Sequence, residues 1–129
     1  REARLPAGAI VTRVGINLAA ETVSAVNARM RAIMVRRRES QPSGYPNFGS
    51  VFRNPPGDHA GRLIEASGLK GLRVGGAEVS RRHANFILNV GDAKAQDVRC
   101  LIEQVCSEVK NRFSVTLQTE VRLAGEWPQ

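Results

Sequence analysis

Ser50 follows Gly49 in the stretch Asn47-Phe48-Gly49-Ser50-Val51-Phe52-Arg53-Asn54-Pro55. A glycine permits a tight backbone turn and carries no side chain to cover its neighbour. The Ser50 hydroxyl can therefore stand nearly uncovered in a cleft. Phe52 and Pro55 can fix the segment against a core, while Arg53 and Asn54 offer donors close by. Such a stretch can hold one hydroxyl rigidly beside a bound anion. The same nine residues taken alone read as an ordinary turn into a short strand, because Gly-Ser pairs commonly punctuate loops.

Other chemically capable residues are equally plain by themselves. Arg36-Arg37-Arg38 closes a predicted helix, where cations suit the terminus, and from charge alone it is a solvated helix end. His83 has no partner at metal spacing, so a hydrogen-bonded structural role is expected. Glu120 falls on the polar side of an alternating stretch and reads alone as an exposed glutamate. Cys100 and Cys106 lie six residues apart on a predicted helix. Their α-carbons would be about 9 Å apart, too far for a disulfide. No His or Cys cluster has zinc spacing. Reduced thiols in a cytoplasmic protein are the simplest account.

The chain has 129 residues, 42% of them hydrophobic, and a formal net charge of +7 from 19 basic and 12 acidic side chains. That length suits one compact domain or a small domain with an appendage. The charge favours anionic partners: nucleic acid, a membrane surface or a phosphorylated small molecule. No apolar run approaches the roughly 20 residues of a membrane span. The opening Arg-Glu-Ala-Arg carries neither a Met nor a hydrophobic signal segment and reads as the tail of a longer protein.

The elements that must position Ser50 follow from periodicity. Alternation over Ile10 to Leu18 predicts a half-buried strand. Glu21 to Arg38 predicts a helix with an apolar stripe of Val23, Val26, Met30, Ile33 and Met34. Glu39 to Phe48, with two prolines and a glycine, is a loop and a candidate domain boundary. Asp58 is placed to cap a short helix through Ala60, Leu63, Ile64 and Ser67 that Gly68 ends. Gly71 to Ser80 is extended and broken by glycines, and matches neither a dinucleotide fingerprint nor a Walker loop. Ala84 to Val90 predicts a buried strand. Asp92 is placed to cap a long helix, Ala93 to Phe113, burying Val98, Leu101, Ile102, Val105, Val109 and Phe113, with Cys106 in the core and Cys100 at its edge. A final strand alternates Val115, Leu117, Val121 and Leu123 against Thr116, Gln118, Glu120 and Arg122. Without regular βαβ alternation, the order predicts an α+β fold. One long and one short helix pack on a small mixed sheet, preceded by a strand-helix tail.

Taken together the motifs resemble the C-terminal part of UDP-N-acetylenolpyruvoylglucosamine reductase, in the compact subgroup of that family. They are Arg38-x-x-Gln41-Pro42, the Asn47 to Pro55 stretch, Ala60-Gly61-x-Leu63-Ile64-Glu65 and Gly68-Leu69-Lys70-Gly71. Gly75-Gly76-Ala77-x-Val79-Ser80-x-x-His83-Ala84-Asn85-Phe86 and Glu120-Val121-Arg122 complete the set. Their order and spacing cover nearly the whole chain. The departures are Arg53, where the family commonly has Lys, and Phe48, where it commonly has Ala.

The resemblance implies a bacterial cytoplasmic flavoenzyme of peptidoglycan synthesis. In such an enzyme NADPH reduces FAD, and the flavin passes hydride to carbon 3 of the enolpyruvyl group of UDP-N-acetylglucosamine enolpyruvate. It gives Ser50 the role of protonating carbon 2. Glu120 completes the site, and Arg1 stabilises developing negative charge, although the tyrosine that precedes this arginine in the family is missing here. Arg38 and Asn54 match contacts to the uridine diphosphate. Residues 1–38 resemble the end of the FAD-binding domain and residues 39–129 the substrate-binding domain. Most of the FAD contacts would then lie in a region preceding Arg1. Two other readings remain from the residues: a basic nucleic-acid-binding module and a non-catalytic fragment. The first lacks an RNP aromatic pair, a GXXG clamp and a zinc finger, so nucleic acid is not expected as a partner, and without an apolar run of spanning length neither is a membrane.

Overall fold

The structure is a computed structural model that describes residues 5, 6 and 8–125. Its elements run α1 (Val23–Ser40), β1 (Asn47–Ser50), α2 (Ala60–Ala66), β2 (Arg73–Val74), β3 (Ala77–Val79), β4 (Phe86–Asn89) and α3 (Ala95–Phe113). The strands form one sheet in the order β1-β4-β3-β2, and every pairing is antiparallel. The α+β expectation holds, but the sheet is antiparallel rather than mixed, because short turns and loops join its neighbouring strands β2, β3 and β4.

The core lies where α3 crosses β2 and β3 and meets α2. Leu101, Val105 and Val109 of α3, Leu63 and Ile64 of α2, and Val79 and Ile87 of the sheet are all buried. Residues four apart stack on one face of a helix, so Leu101, Val105 and Val109 form one ridge. Asp97 anchors the start of α3. Its carboxylate accepts from the Lys94 amide at 3.0 Å and from the Gly76 amide at 3.3 Å. One side chain thus ties the helix to the two-residue glycine turn between β2 and β3. Ser114, in the left-handed region at φ 57°, ends α3.

The expected start signals move by a few residues. Asp92 does not cap α3 but sits in a left-handed turn at φ 51°. Asp58 does not cap α2, whose cap position is His59. The Ala60 amide is taken instead by the Asn54 carboxamide oxygen at 3.0 Å. Cys106 is half-buried at the edge of the core rather than inside it, with its thiol directed at the Leu117 carbonyl.

Two expected strands are not formed. Residues 10–18 run without ladder partners, and Ile10 and Leu18 are 86% and 87% exposed. Alternation prepares a face, but a strand also needs an edge to pair with, and this segment meets none among the described residues. Residues 115–123 make only a bridge, Thr119 to Phe52. Helix α1 forms as expected, with Thr22 as its cap. Its apolar stripe is bare, however, and Met30, Ile33 and Met34 are each more than half exposed.

Candidate functional site

Ser50 owes its placement to an irregularity in β1. Asn47 pairs with Leu88 and Ser50 with Phe86, so β1 holds one more residue than its partner between those points. Gly49 takes up the extra residue at φ +83°, and the Asn47 side chain accepts from its amide at 3.1 Å. This bulge turns the following side chain away from the face that simple alternation would give it. Val51 and Phe52 then enter the core, and Ser50 stays exposed. Among the described residues its hydroxyl has no hydrogen-bond partner.

The backbone after Ser50 is held from two sides. The Val51 amide donates to the Asn85 carbonyl at 2.9 Å. The Asn85 side chain accepts from the Phe52 amide at 2.9 Å and donates to the Phe52 carbonyl at 2.8 Å. On the opposite side the Arg53 amide donates to the Gln118 carbonyl, and the Glu120 amide donates to the Val51 carbonyl, each at 2.8 Å. These bonds bring Glu120 to the Ser50 segment although the two residues are distant in sequence.

Ser50, Asn54 and Glu120 line one cleft of about 430 Å³. Its other wall carries His59, Arg62, Glu65, Arg82, His83 and Asn85. The charges are partly engaged. Arg62 pairs with Asp58 one turn away and lies over the Phe113 ring at 5.9 Å. That guanidinium, with the His59 amide, holds the Asp58 carboxyl down to about 2. Glu65 pairs with Lys70 at 2.6 Å. Arg82 donates to the Arg38 carbonyl and has no carboxylate partner among the described residues. The wall is therefore cationic, and guanidinium groups there suit a diphosphate through bidentate bonds.

The sequence-derived candidates divide as follows. Ser50, Glu120 and Asn54 share the cleft. Arg38 does not line it; its side chain is exposed on the last turn of α1, and only its carbonyl reaches Arg82. Arg1 lies outside the described residues. His83 has the expected structural bond, its Nδ1 accepting from the Asn85 amide at 3.2 Å, yet it also faces the cleft. Arg62, Arg82 and Glu65 had no assigned role. For Arg82, the Arg81-Arg82 pair just before a buried strand was the available signal.

A family model described as UDP-N-acetylenolpyruvoylglucosamine reductase, C-terminal domain, matches residues 41–124. The chain belongs to this family. The reductase of Anaeromyxobacter dehalogenans strain 2CP-C is 56% identical over 99% of the chain, which spans 39% of that protein. That of Alkalilimnicola ehrlichii is 54% identical over 94% of the chain and 41% of its own length. A crystal structure of the UDP-N-acetylenolpyruvylglucosamine reductase of Thermus caldophilus superposes with a TM-score of 0.76. It is 41% identical over 96% of this chain and 42% of its own. The chain thus spans about two fifths of the length of these reductases.

Proposed function

We propose that the chain is the substrate-binding part of a flavoenzyme of peptidoglycan synthesis. The reaction reduces UDP-N-acetylglucosamine enolpyruvate to UDP-N-acetylmuramate with NADPH. The observation that carries this reading is the meeting, on one cation-walled cleft, of a glutamate and a serine hydroxyl that has no partner among the described residues. Membership of the reductase family supports it.

Residues 1–38 are the end of the FAD-binding domain in this reading, and residues 39–129 the substrate domain. The bare stripe of α1 supports that division, because an apolar helix face is stable when another element covers it. Asn54 takes the diphosphate inside the cleft, with Arg62 and Arg82 supplying positive charge, and Arg38 is assigned to the same group from the last turn of α1, beside Arg82. Asn54 can serve because its oxygen holds the Ala60 amide, which fixes the carboxamide and leaves its nitrogen as a donor. Arg1 is assigned to the developing negative charge.

The cleft's arginines, histidines and amides fit the anionic substrate. For FAD they fit only at the rim, where Ser50 and Glu120 stand exposed. The hold on the dinucleotide itself is assigned to the region preceding this chain. When bound, FAD supplies a hydride taken from NADPH. Ser50 then delivers a proton to carbon 2 of the substrate. A hydroxyl is a weak acid in water, so it serves here only against a strongly basic carbanion in a site that excludes solvent. Glu120 completes the site opposite it. Reaction in the bacterial cytoplasm suits such a substrate, and no described helix is long and apolar enough to cross a membrane.

The test separates the two half-reactions in the full-length enzyme by stopped-flow spectroscopy. Ser50→Ala leaves reduction of the flavin by NADPH nearly intact. It slows reoxidation by substrate by the ~10²–10⁴-fold typical of a lost general acid. Ser50→Cys recovers part of the rate, since a thiol also donates a proton. Reoxidation of Ser50→Ala at the wild-type rate would remove Ser50 from the chemistry.

A further inference from the structure

We infer that Asn85 is a positioning residue for Ser50, acting through the backbone of Phe52; the inference rests on the assignment of Ser50 as the proton donor. Asn85 is buried and stands 33 residues from Phe52. Its carboxamide meets the Phe52 backbone as a neighbouring strand would, accepting from the amide at 2.9 Å and donating to the carbonyl at 2.8 Å. Its own carbonyl accepts from the Val51 amide at 2.9 Å. Three bonds from one residue therefore hold three successive peptide units, from Ser50–Val51 to Phe52–Arg53.

Regular pairing could not do this. β1 and β4 lose register at Gly49, and the ladder between them ends with Ser50 opposite Phe86. Beyond that point the Asn85 carbonyl on the Val51 amide is the last main-chain bond on the β4 side, and among the described residues Phe52 has no main-chain partner there. The Asn85 side chain substitutes for one. It is itself fixed, because its amide donates to His83 Nδ1 at 3.2 Å, and the His83 amide donates to the buried Ser80 hydroxyl at 3.3 Å. The opposite edge of the last two of these units carries Gln118 and Glu120. Asn85 thus sets where the Ser50 segment stands relative to Glu120, without needing to touch a reacting atom.

A displacement of about 1 Å at a reacting centre can cost on the order of 10²-fold in rate. Losing the clamp should therefore slow proton delivery while sparing steps that do not need it. Two variants of the full-length enzyme test this, with rates normalised to bound flavin. Asn85→Ala removes both side-chain bonds. Asn85→Asp keeps the volume and the acceptor for the Phe52 amide but removes the donor to the Phe52 carbonyl, and it stands in where the alanine variant does not fold. We expect flavin reduction by NADPH at the wild-type rate. Reoxidation at saturating substrate should be roughly 10- to 100-fold slower, with the substrate concentration for half-saturation changed by less than threefold. A general loss of structure would lower both half-reactions together. Wild-type reoxidation by a folded Asn85 variant, alongside a slow Ser50→Ala, would overturn the positioning role and leave Ser50 as the donor. Wild-type reoxidation by Ser50→Ala would overturn both.

Discussion

Asp58 and Arg62 stand one helical turn apart at the lip of the cleft, the carboxylate outside α2 and the guanidinium within it. Because the folded protein holds the Asp58 carboxyl down to about 2, against an ordinary value of 3.8, its ionised form favours the folded state. The contribution is fully present above the unfolded value and is lost as pH falls through about 2. The pair is exposed, so the effect is small and screened by salt. Asp58→Asn should therefore lower the thermal midpoint slightly near neutral pH, and the difference from wild type should vanish on acidification through that window. A difference that persisted at the acid end would mean that packing, and not charge, is what the substitution disturbs. Asn54 shows a related overlap of roles at single-residue scale. Its oxygen does the capping work expected of Asp58, so a substrate contact there must come from its nitrogen.

Among the elements, the β2–β3 hairpin and the start of α3 depend on a close approach. A methyl group at Gly76 would fall on the Gly91 carbonyl oxygen and the Ala93 amide, and both are backbone. Backbone cannot rotate aside as a side chain can. Gly76→Ala should cost about 1–3 kcal/mol or more, read as a lower midpoint in denaturant. Gly15→Ala, where an added methyl meets nothing within 4 Å, is the control and should be close to neutral. The elements legible in the sequence were those whose apolar residues meet partners inside the chain. α2, β4 and α3 each put their periodic residues into one core, with Ile64, Ile87 and Val105 almost fully buried. Residues 10–18 and 115–123 alternate just as cleanly, but alternation names a face and not a neighbour, and strands form only where an edge is offered. Asp92 and Asp58 failed as caps because a cap needs an extended backbone at one position, which composition alone does not reveal.

At the scale of the whole molecule, the site was legible only as a set of motifs. Ser50, Asn54 and Glu120 look bland singly, and their joint meaning came from order and spacing across the chain. The Asn85 clamp and the Arg82 wall were not legible, because both arise from contacts across more than 30 residues that no local pattern encodes. The bare face of α1 belongs to the same scale. Under the proposed division it faces the flavin domain, so the full-length enzyme should purify yellow and residues 1–129 alone should be colourless. Stoichiometric FAD retained by these 129 residues, measured by absorbance, would show that the flavin contacts lie within them.

The pairing of Val51 with Glu120 also has a meaning in time. A ribosome delivers the chain from its N-terminal end, so the segment bearing Ser50 emerges while the residues that will flank it are still being added. Asn85 arrives first and fastens one edge; Gln118 and Glu120 arrive last and fasten the other. Until then the nascent polypeptide can display the serine but not the glutamate. The pocket is therefore finished only once residues 118–120 have been added, and a chain that stopped at Leu117 would carry the buried core residues and the cationic wall but no glutamate beside Ser50.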